Sequence, residues 1–437
     1  MSSESAVPVP SLEEIRDEAP EAVSKLLDYE YSPIEPRNED RPEIVVTKDI
    51  TGKSKSTGDY SDFESLFLNR FEELSSILKK RSLKGHVEIA GMSRKPSRET
   101  ITLVGLVTEV RQTRNGNRRI ELQDKTGCSR VIVTDDRLMD EVDTLLSHEV
   151  VAFEGQLSDD KEIIFGNEIH YPDVPQSFRR TRTDRTVRAA FISDIHLAAD
   201  TFAYEKWADF VNFVREEPSI EYVFVAGDLV EGIGVYPGQE DELDVKNIDA
   251  QYKLCGEVFK KFPDSVDIIT CTGNHDAVRL AEPQPALPER FTKYFPDNVT
   301  FVGNPSTVKI ENGITIELYH GMSINSFTDS VPSFEVESPE EIMKMMLKKR
   351  HLAPLFGHNT RIAPEKTDYL VLQEVPDVLH TGHVHTFGID SYRNSIVANT
   401  GTWQYQTDFQ EKMNIVPTVG RAPVMNLSNY DTTTYEF

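Results

Sequence analysis

The chain has 437 residues, 38% of them hydrophobic and 27% charged, with a formal net charge of -26. That length accommodates two or three domains with ordinary cores, and the acidic balance excludes a protein that coats nucleic acid by bulk electrostatics, because phosphate binding rests on Lys and Arg. Three widely separated cysteines, Cys128, Cys255 and Cys271, exclude a disulfide framework and a zinc ribbon, and the lack of a long apolar run or a signal-peptide start predicts a cytoplasmic protein with no membrane contact.

In chain order, residues 1–57 mix Ser, Glu, Asp and Pro with few aromatics and predict a disordered acidic tail. Residues 58–98 hold an amphipathic helix and a linker. Phe63, Leu66, Phe67, Phe71, Leu74, Ile77 and Leu78 recur at helical spacing, Ser61 and Glu64 suit a capping box, and Lys79-Lys80-Arg81 suits the C-terminus. Such a stripe favours packing on its own chain over a dedicated partner site.

Residues 99–175 read as all-β with one helical insert. Strands are predicted over 101–111, 118–122, 129–133, 149–154 and 162–169, with a turn at Asn115-Gly116-Asn117 and a helix near 137–146. Five short strands with a helix between the third and fourth predict an OB-fold domain. The few aromatics on these strands favour contact with protein over a grip on single-stranded nucleic acid. Residues 176–188 form a basic linker with Arg179, Arg180, Arg182, Arg185 and Arg188, equally compatible with a solvated connection and a local DNA track.

Residues 189–437 alternate strands and helices, which predicts a layered α/β domain. The strands run over 187–195, 222–226, 266–270, 307–318, 375–379 and 395–400, and helices cover about 202–214 and 249–262. A further helix is announced by Ser338-Pro339-Glu340-Glu341, which combines an N-cap, a proline at the first helical position and a capping-box glutamate.

Five short segments in this domain carry the chemistry: Ser193-Asp194-Ile195-His196, Gly227-Asp228, Gly273-Asn274-His275-Asp276, Tyr319-His320-Gly321 and Gly382-His383-Val384-His385. Most follow apolar runs, which places carboxylates, an amide and imidazoles at the C-terminal ends of strands, where open α/β sheets put their sites. Asp, His and Asn together can hold two divalent metals with positions left open for water and phosphate. Singly, each is weak evidence, since a strand-end Asp commonly caps a helix and a lone buried His is more often structural. His351, His358 and His380 are read as structural or solvent-facing.

The order D-x-H, GD, GNHD, H, GHxH resembles the calcineurin-like metallophosphoesterases. The resemblance implies a β-sandwich flanked by helices, with Asp194, His196, Asp228 and His385 around one metal and Asp228, Asn274, His320 and His383 around the other. It also implies that His275 stabilises the transition state or protonates the leaving oxygen, with Asp276 orienting it. Two divalent ions are implied, with Mn²⁺ favoured and Fe, Zn or Co compatible with the mixed N and O donors. Together with the preceding OB-like domain, the stretches Gly58 to Leu78, Arg350-His351-Leu352-Ala353-Pro354, Ile362-Ala363-Pro364-Glu365 and Asn399-Thr400-Gly401-Thr402-Trp403-Gln404 resemble the small subunits of archaeal family-D DNA polymerases. That resemblance implies a 3′→5′ exonuclease that proofreads primer-template DNA and binds a large catalytic subunit. Two other readings stand beside it: a non-catalytic scaffold for the large subunit, and a stand-alone repair nuclease or phosphodiesterase.

Overall fold

The structure is a computed structural model that describes residues 9–35, 42–81 and 83–437. The chain begins with α1 (Leu12–Glu18) and α2 (Pro20–Leu27), followed by a short strand β1 (Val45–Lys48) and the long helix α3 (Tyr60–Lys79). This corrects the expectation of a disordered tail over 1–57, apart from residues 1–8 and 36–41, which lie outside the described residues. Ser11 caps α1 in a full capping box with Glu14, and Ile15, Val23 and Leu26 are buried against the main core. A few well-placed apolar residues suffice because neighbouring helices supply the rest of the core.

Helix α3 has the predicted stripe, but it starts at Tyr60 and makes no side-chain cap. Asp62 instead accepts the amides of Thr57 and Gly58, so the Ser61–Glu64 capping box does not form.

Next come β2 (Thr100–Gln112), β3 (Arg118–Asp124), β4 (Gly127–Val133), α4 (Asp136–Val142), β5 (Val150–Leu157) and β6 (Ile163–His170). The five strands close into a barrel in the order β2-β3-β4-β6-β5, with α4 between the third and fourth. Their inward residues, among them Leu103, Ile120, Val131, Phe153 and Ile164, make one core.

The remainder builds two six-stranded sheets. Its elements are β7 (Arg188–Ile192), α5 (Tyr204–Glu216), β8 (Ile220–Ala226), α6 (Ile248–Phe259), β9 (Asp267–Cys271), α7 (Glu289–Thr292), β10 (Val299–Phe301), β11 (Ser306–Ile310), β12 (Ile314–Leu318), α8 (Ser323–Ser330), α9 (Pro339–Lys349), β13 (Val378–Thr381), β14 (Phe387–Tyr392), β15 (Ser395–Thr400), α10 (Asp408–Lys412), β16 (Arg421–Asn426) and β17 (Thr432–Glu436). One sheet has the order β1-β11-β12-β13-β15-β14, the other β10-β9-β8-β7-β16-β17. The single strand expected over 307–318 is a hairpin, because Gly313 at φ 95° reverses the chain. The Ser338 capping box is likewise absent, although Pro339 does occupy the first turn of α9.

Alternation along the strands explains the layering. On β8, Tyr222, Phe224 and Ala226 face Val308, Ile316, Leu318 and Val378 of the other sheet. The intervening Val223 and Val225 face Trp207, Phe210 and Val258 of the outer helices, together with α1 and α2. Both faces of β8 are buried, which is why its sequence is a continuous apolar run. Helices α8 and α9 cover the outside of the other sheet through Phe327, Ile342, Met343 and Met346.

Three buried polar contacts join barrel to sheets. Arg70 on α3, fully buried, donates to Asp368 at 2.6 Å and to the carbonyls of His148 and Pro354 at 3.1 and 2.7 Å. Lys349 on α9 pairs with Glu149, and Tyr392 on β14 donates to Asp173 at 2.9 Å. In the basic linker Arg185 pairs with Glu221 and Glu311, Arg188 pairs with Glu217 and Arg180 lies over the Tyr430 ring, while Arg179 and Arg182 are exposed. No helix among the described residues is long and apolar enough to cross a membrane.

Candidate metal centre

All five motifs meet at one place. They follow the C-terminal ends of β7, β8, β9, β12 and β13, so strands from both sheets deliver side chains to a common cleft of about 410 Å³. Asp194, His196, Asp228, His383 and His385 all have positive φ, between 50° and 72°. Backbone strain of this kind in non-glycine residues persists only where surrounding structure enforces it, and it clusters at functional sites. The motif glycines are required by close approach: a Cβ on Gly273 would lie 2.2 Å from Asp228 Oδ1, and one on Gly382 would lie 2.1 Å from Asp194 Oδ2.

Two groups of donors result. In the first, His196 Nε2 and His385 Nε2 face each other at 3.0 Å, with Asp194 Oδ1 3.9 and 3.5 Å from them. In the second, His320 Nε2 is 2.9 Å from Asn274 Oδ1 and 3.2 Å from Asp228 Oδ2. Asp228 also lies 3.7 Å from His196 Nε2, so its carboxylate stands between the groups. His383 is offset. Its ring packs at 5.1 Å from that of His320, its Nε2 meets the Asn325 amide at 3.1 Å, and it forms part of the cleft wall.

The protonation pattern fits a cation site. His196 Nδ1 donates to the Glu231 carboxylate at 2.7 Å, and His320 Nδ1 donates to the Ala226 carbonyl at 2.8 Å. In each neutral ring this leaves the Nε2 lone pair turned toward other acceptors, with His320 Nε2 facing two oxygens. Such an arrangement needs a positive charge at its centre. Although burial opposes it, Asp228 raises His320 to about 9 and Glu231 raises His196 well above the usual range. Asp194 and Asp228 are held well below the carboxylate range against burial, by His196 and His385 in the first case and by His320 in the second. Burial lowers His383 to about 3 and also lowers His385, which keeps both available as neutral donors. The donor set of neutral imidazoles, two carboxylates and one amide suits a pair of divalent ions.

Asp276 does not orient His275. Its carboxylate accepts the amides of Asp228 and Gly273 at 3.0 and 2.9 Å and the Tyr252 hydroxyl at 3.0 Å, so it ties the β8 and β9 loops together. Burial and the neighbouring Asp228 push it up to about 7. The residue that holds His275 is Glu231, whose carbonyl accepts from His275 Nδ1 at 2.7 Å and whose carboxylate lies 3.5 Å from the same atom. Glu231 in turn receives Gln239 and Gln404 at 2.9 and 3.2 Å, and despite burial His196 lowers it to about 2. The motifs do not point to Glu231, to Asn325 or to Gln410, whose amide meets His385 Nδ1 at 2.8 Å. The one signal for Glu231 is its place three residues after Asp228 on the same loop. His351 and His380 are buried and outside the cleft, and His358 is exposed.

The stretch that carries every motif above, residues 189–388, matches the family of the B subunits of DNA polymerases alpha and epsilon. Over 404 residues the chain is 42% identical to the DNA polymerase II small subunit of Halobacterium salinarum, covering 91% of this chain and 79% of that one. It is 38% identical to the corresponding subunit of Archaeoglobus fulgidus (87% and 78% covered) and 37% identical to that of Methanothermobacter thermautotrophicus (88% and 81% covered). The chain belongs to the DNA polymerase II small subunit family of archaea. Among solved structures, an asparaginyl-tRNA synthetase from Pyrococcus horikoshii matches 19% of this chain and 22% of its own at 13% identity with a TM-score of 0.18, a likeness too slight to bear on the fold.

Proposed function

We propose that this chain is the proofreading subunit of a two-subunit replicative DNA polymerase, a 3′→5′ exonuclease that removes mispaired primer ends and docks on a large catalytic subunit. The observation that carries the reading is the convergence of His320 Nε2, Asn274 Oδ1 and Asp228 Oδ2 beside the facing His196 and His385 nitrogens. The paired sheets with outer helices support a calcineurin-like metallophosphoesterase domain, and the closed barrel with α4 between its third and fourth strands supports an OB-fold domain. The small-subunit names of the relatives support a large-subunit partner.

Asp194, His196, Asp228 and His385 would hold one divalent ion, and Asp228, Asn274 and His320, with His383 at the edge, would hold a second; Mn²⁺ suits these donors. When bound, the ions supply Lewis acidity that acidifies water and neutralises phosphate charge. The protein's own residues do the rest. Asp228 keeps both halves of the centre in register. Glu231 fixes the His275 ring with Nδ1 as donor, which leaves Nε2 to take up a proton from solvent and pass it to the departing 3′ oxygen as water adds to phosphorus. Asp276 holds the loops that carry Asp228 and Asn274. The cleft volume is suited to a single nucleotide.

The test is digestion of labelled primer-templates, matched and mismatched, by this chain alone and with the large subunit in the presence of manganese. The expected outcome is release of nucleotides from unpaired 3′ ends, sharpened toward mismatches by the large subunit, with binding that weakens steeply as salt rises. Undetectable cleavage by both forms would leave the scaffold reading in its place.

A further inference from the structure

Beside the donor cluster the cleft has an apolar wall formed by Val336, Phe409 and Ile415. Phe409 is 61% exposed, and along the same stretch of chain Tyr405, Met413 and Val416 are 44%, 59% and 75% exposed. Scattered exposed apolar residues need no explanation, but an exposed aromatic ring in the wall of the cleft that holds the donor cluster does. Phe409 is not on a loose loop. It sits on α10, which a Thr407–Gln410 capping box closes, and the next residue, Gln410, reaches His385 Nδ1 at 2.8 Å. The following turn is tied back by the Ile415 amide to the Gln410 carbonyl and by the Thr418 amide to the His385 carbonyl. The backbone that carries Phe409 is therefore tied to the centre that would receive the phosphate.

We infer that Phe409 is a stacking platform for the terminal base of the strand being trimmed, and that it is the element by which the site tells an unpaired 3′ end from a paired one. The inference rests on the exonuclease reading given above. A chain with a net charge of -26 gains little from phosphate contacts of its own and leaves most of them to the large subunit, which favours an uncharged, sequence-independent contact here; every base has a π-face, and aromatic stacking serves all of them. The base lies one sugar away from the phosphate that the centre would receive, which brings it to the wall rather than the floor. A terminal base still paired and stacked in duplex cannot reach the ring, whereas a frayed or mispaired base can. Protein docking on the same ring would close the cleft to substrate, which argues against a partner as its occupant.

The experiment uses the full chain with the large subunit, calcium replacing manganese to suppress cleavage, and a single strand ending in 2-aminopurine. Quenching of the fluorophore is expected with the unaltered chain and with Phe409→Trp, and its loss with Phe409→Ala, together with a roughly 5- to 150-fold weaker affinity. A strand with an abasic terminus should bind the unaltered chain and Phe409→Ala alike. In manganese, Phe409→Ala should narrow the preference for mismatched over matched ends. Quenching retained in Phe409→Ala, an equal loss of affinity for the abasic strand, or weakened large-subunit binding with DNA binding intact would each overturn the platform. Hydrolysis of methyl p-nitrophenyl phosphate by the unaltered chain separates the two levels: hydrolysis without quenching removes only the platform, and no hydrolysis at all removes the exonuclease reading with it.

Discussion

Glu231 and His196 are joined by a 2.7 Å contact between carboxylate and Nδ1, and the carbonyl of the same glutamate takes His275 Nδ1 at 2.7 Å. One residue thus sets the ring orientation of a candidate metal ligand and of the candidate acid. Glu231→Gln keeps the shape but removes the charge that makes His196 a strong donor. Metal affinity should fall about 10- to 100-fold, read by isothermal titration with manganese, while circular dichroism stays unchanged. Unaltered metal binding would count against this coupling.

Asp228 stands between the two donor groups, so Asp228→Ala should empty both rather than weaken one. Elemental analysis of the purified variant is the measurement, and two tightly held ions would refute the bridging role. Exonuclease activity should be abolished along with the metals.

His275→Ala should leave metal content intact and cost roughly 10²- to 10⁴-fold in cleavage rate, because its backbone amide, not its ring, contacts Asp228 at 2.8 Å. Loss of metal would reassign His275 as a ligand, and an unchanged rate would remove it from the mechanism.

Arg70 and Asp368 form a fully buried ion pair at 2.6 Å. Removing one partner strands the other charge, so Arg70→Ala should destabilise the fold by about 3–5 kcal/mol, measured by chemical denaturation. Arg70→Lys cannot reach Asp368 and the His148 and Pro354 carbonyls together, and it should recover only part of the loss.

Burial holds His351 and His148 down to about 4. Both stay neutral in the fold while the unfolded chain takes up protons near 6.5, so the unfolded state binds more protons in between and stability falls as pH drops from about 6.5 to about 4. Within the fold, His351 Nε2 donates to Asp368 at 3.0 Å and Nδ1 accepts the Ala353 amide at 3.1 Å, a pairing that suits the neutral ring. Denaturation midpoints of metal-loaded protein across this range should show a shallower acid loss in His351→Gln than in the unaltered chain. Equal slopes would show that His351 does not contribute.

The clustering of the candidate donors is readable from the sequence because those residues sit at strand ends, next to apolar runs that name those strands. Val223 and Val225 alternate with Tyr222 and Phe224 between two cores, and Asp228 follows directly. What surrounds the ligands is not readable. Glu231 acts through rings 35 and 44 residues away, and Asn325 and Gln410 meet histidines that only the completed fold brings near. The role expected of Asp276 fails for the same reason: its place beside His275 in sequence says nothing of the loop amides and the Tyr252 hydroxyl it binds in space. The N-terminal region misleads because its composition is polar, while Ile15, Val23 and Leu26 find their partners on distant helices.

Strand β1, four residues long, pairs antiparallel with β11, and both Val45 and Val46 on it are exposed. It is the outermost strand of its sheet, so β11 owes its second hydrogen-bonding neighbour to a segment that looks dispensable. A chain begun at residue 58 would present the backbone of Ser306–Ile310 as an open template for a second molecule, while losing the helices that cover Trp207 and its neighbours. Loss of the first stretch would thus replace a short edge of four residues with the five-residue edge of β11, and would be felt in solubility before it was felt in chemistry.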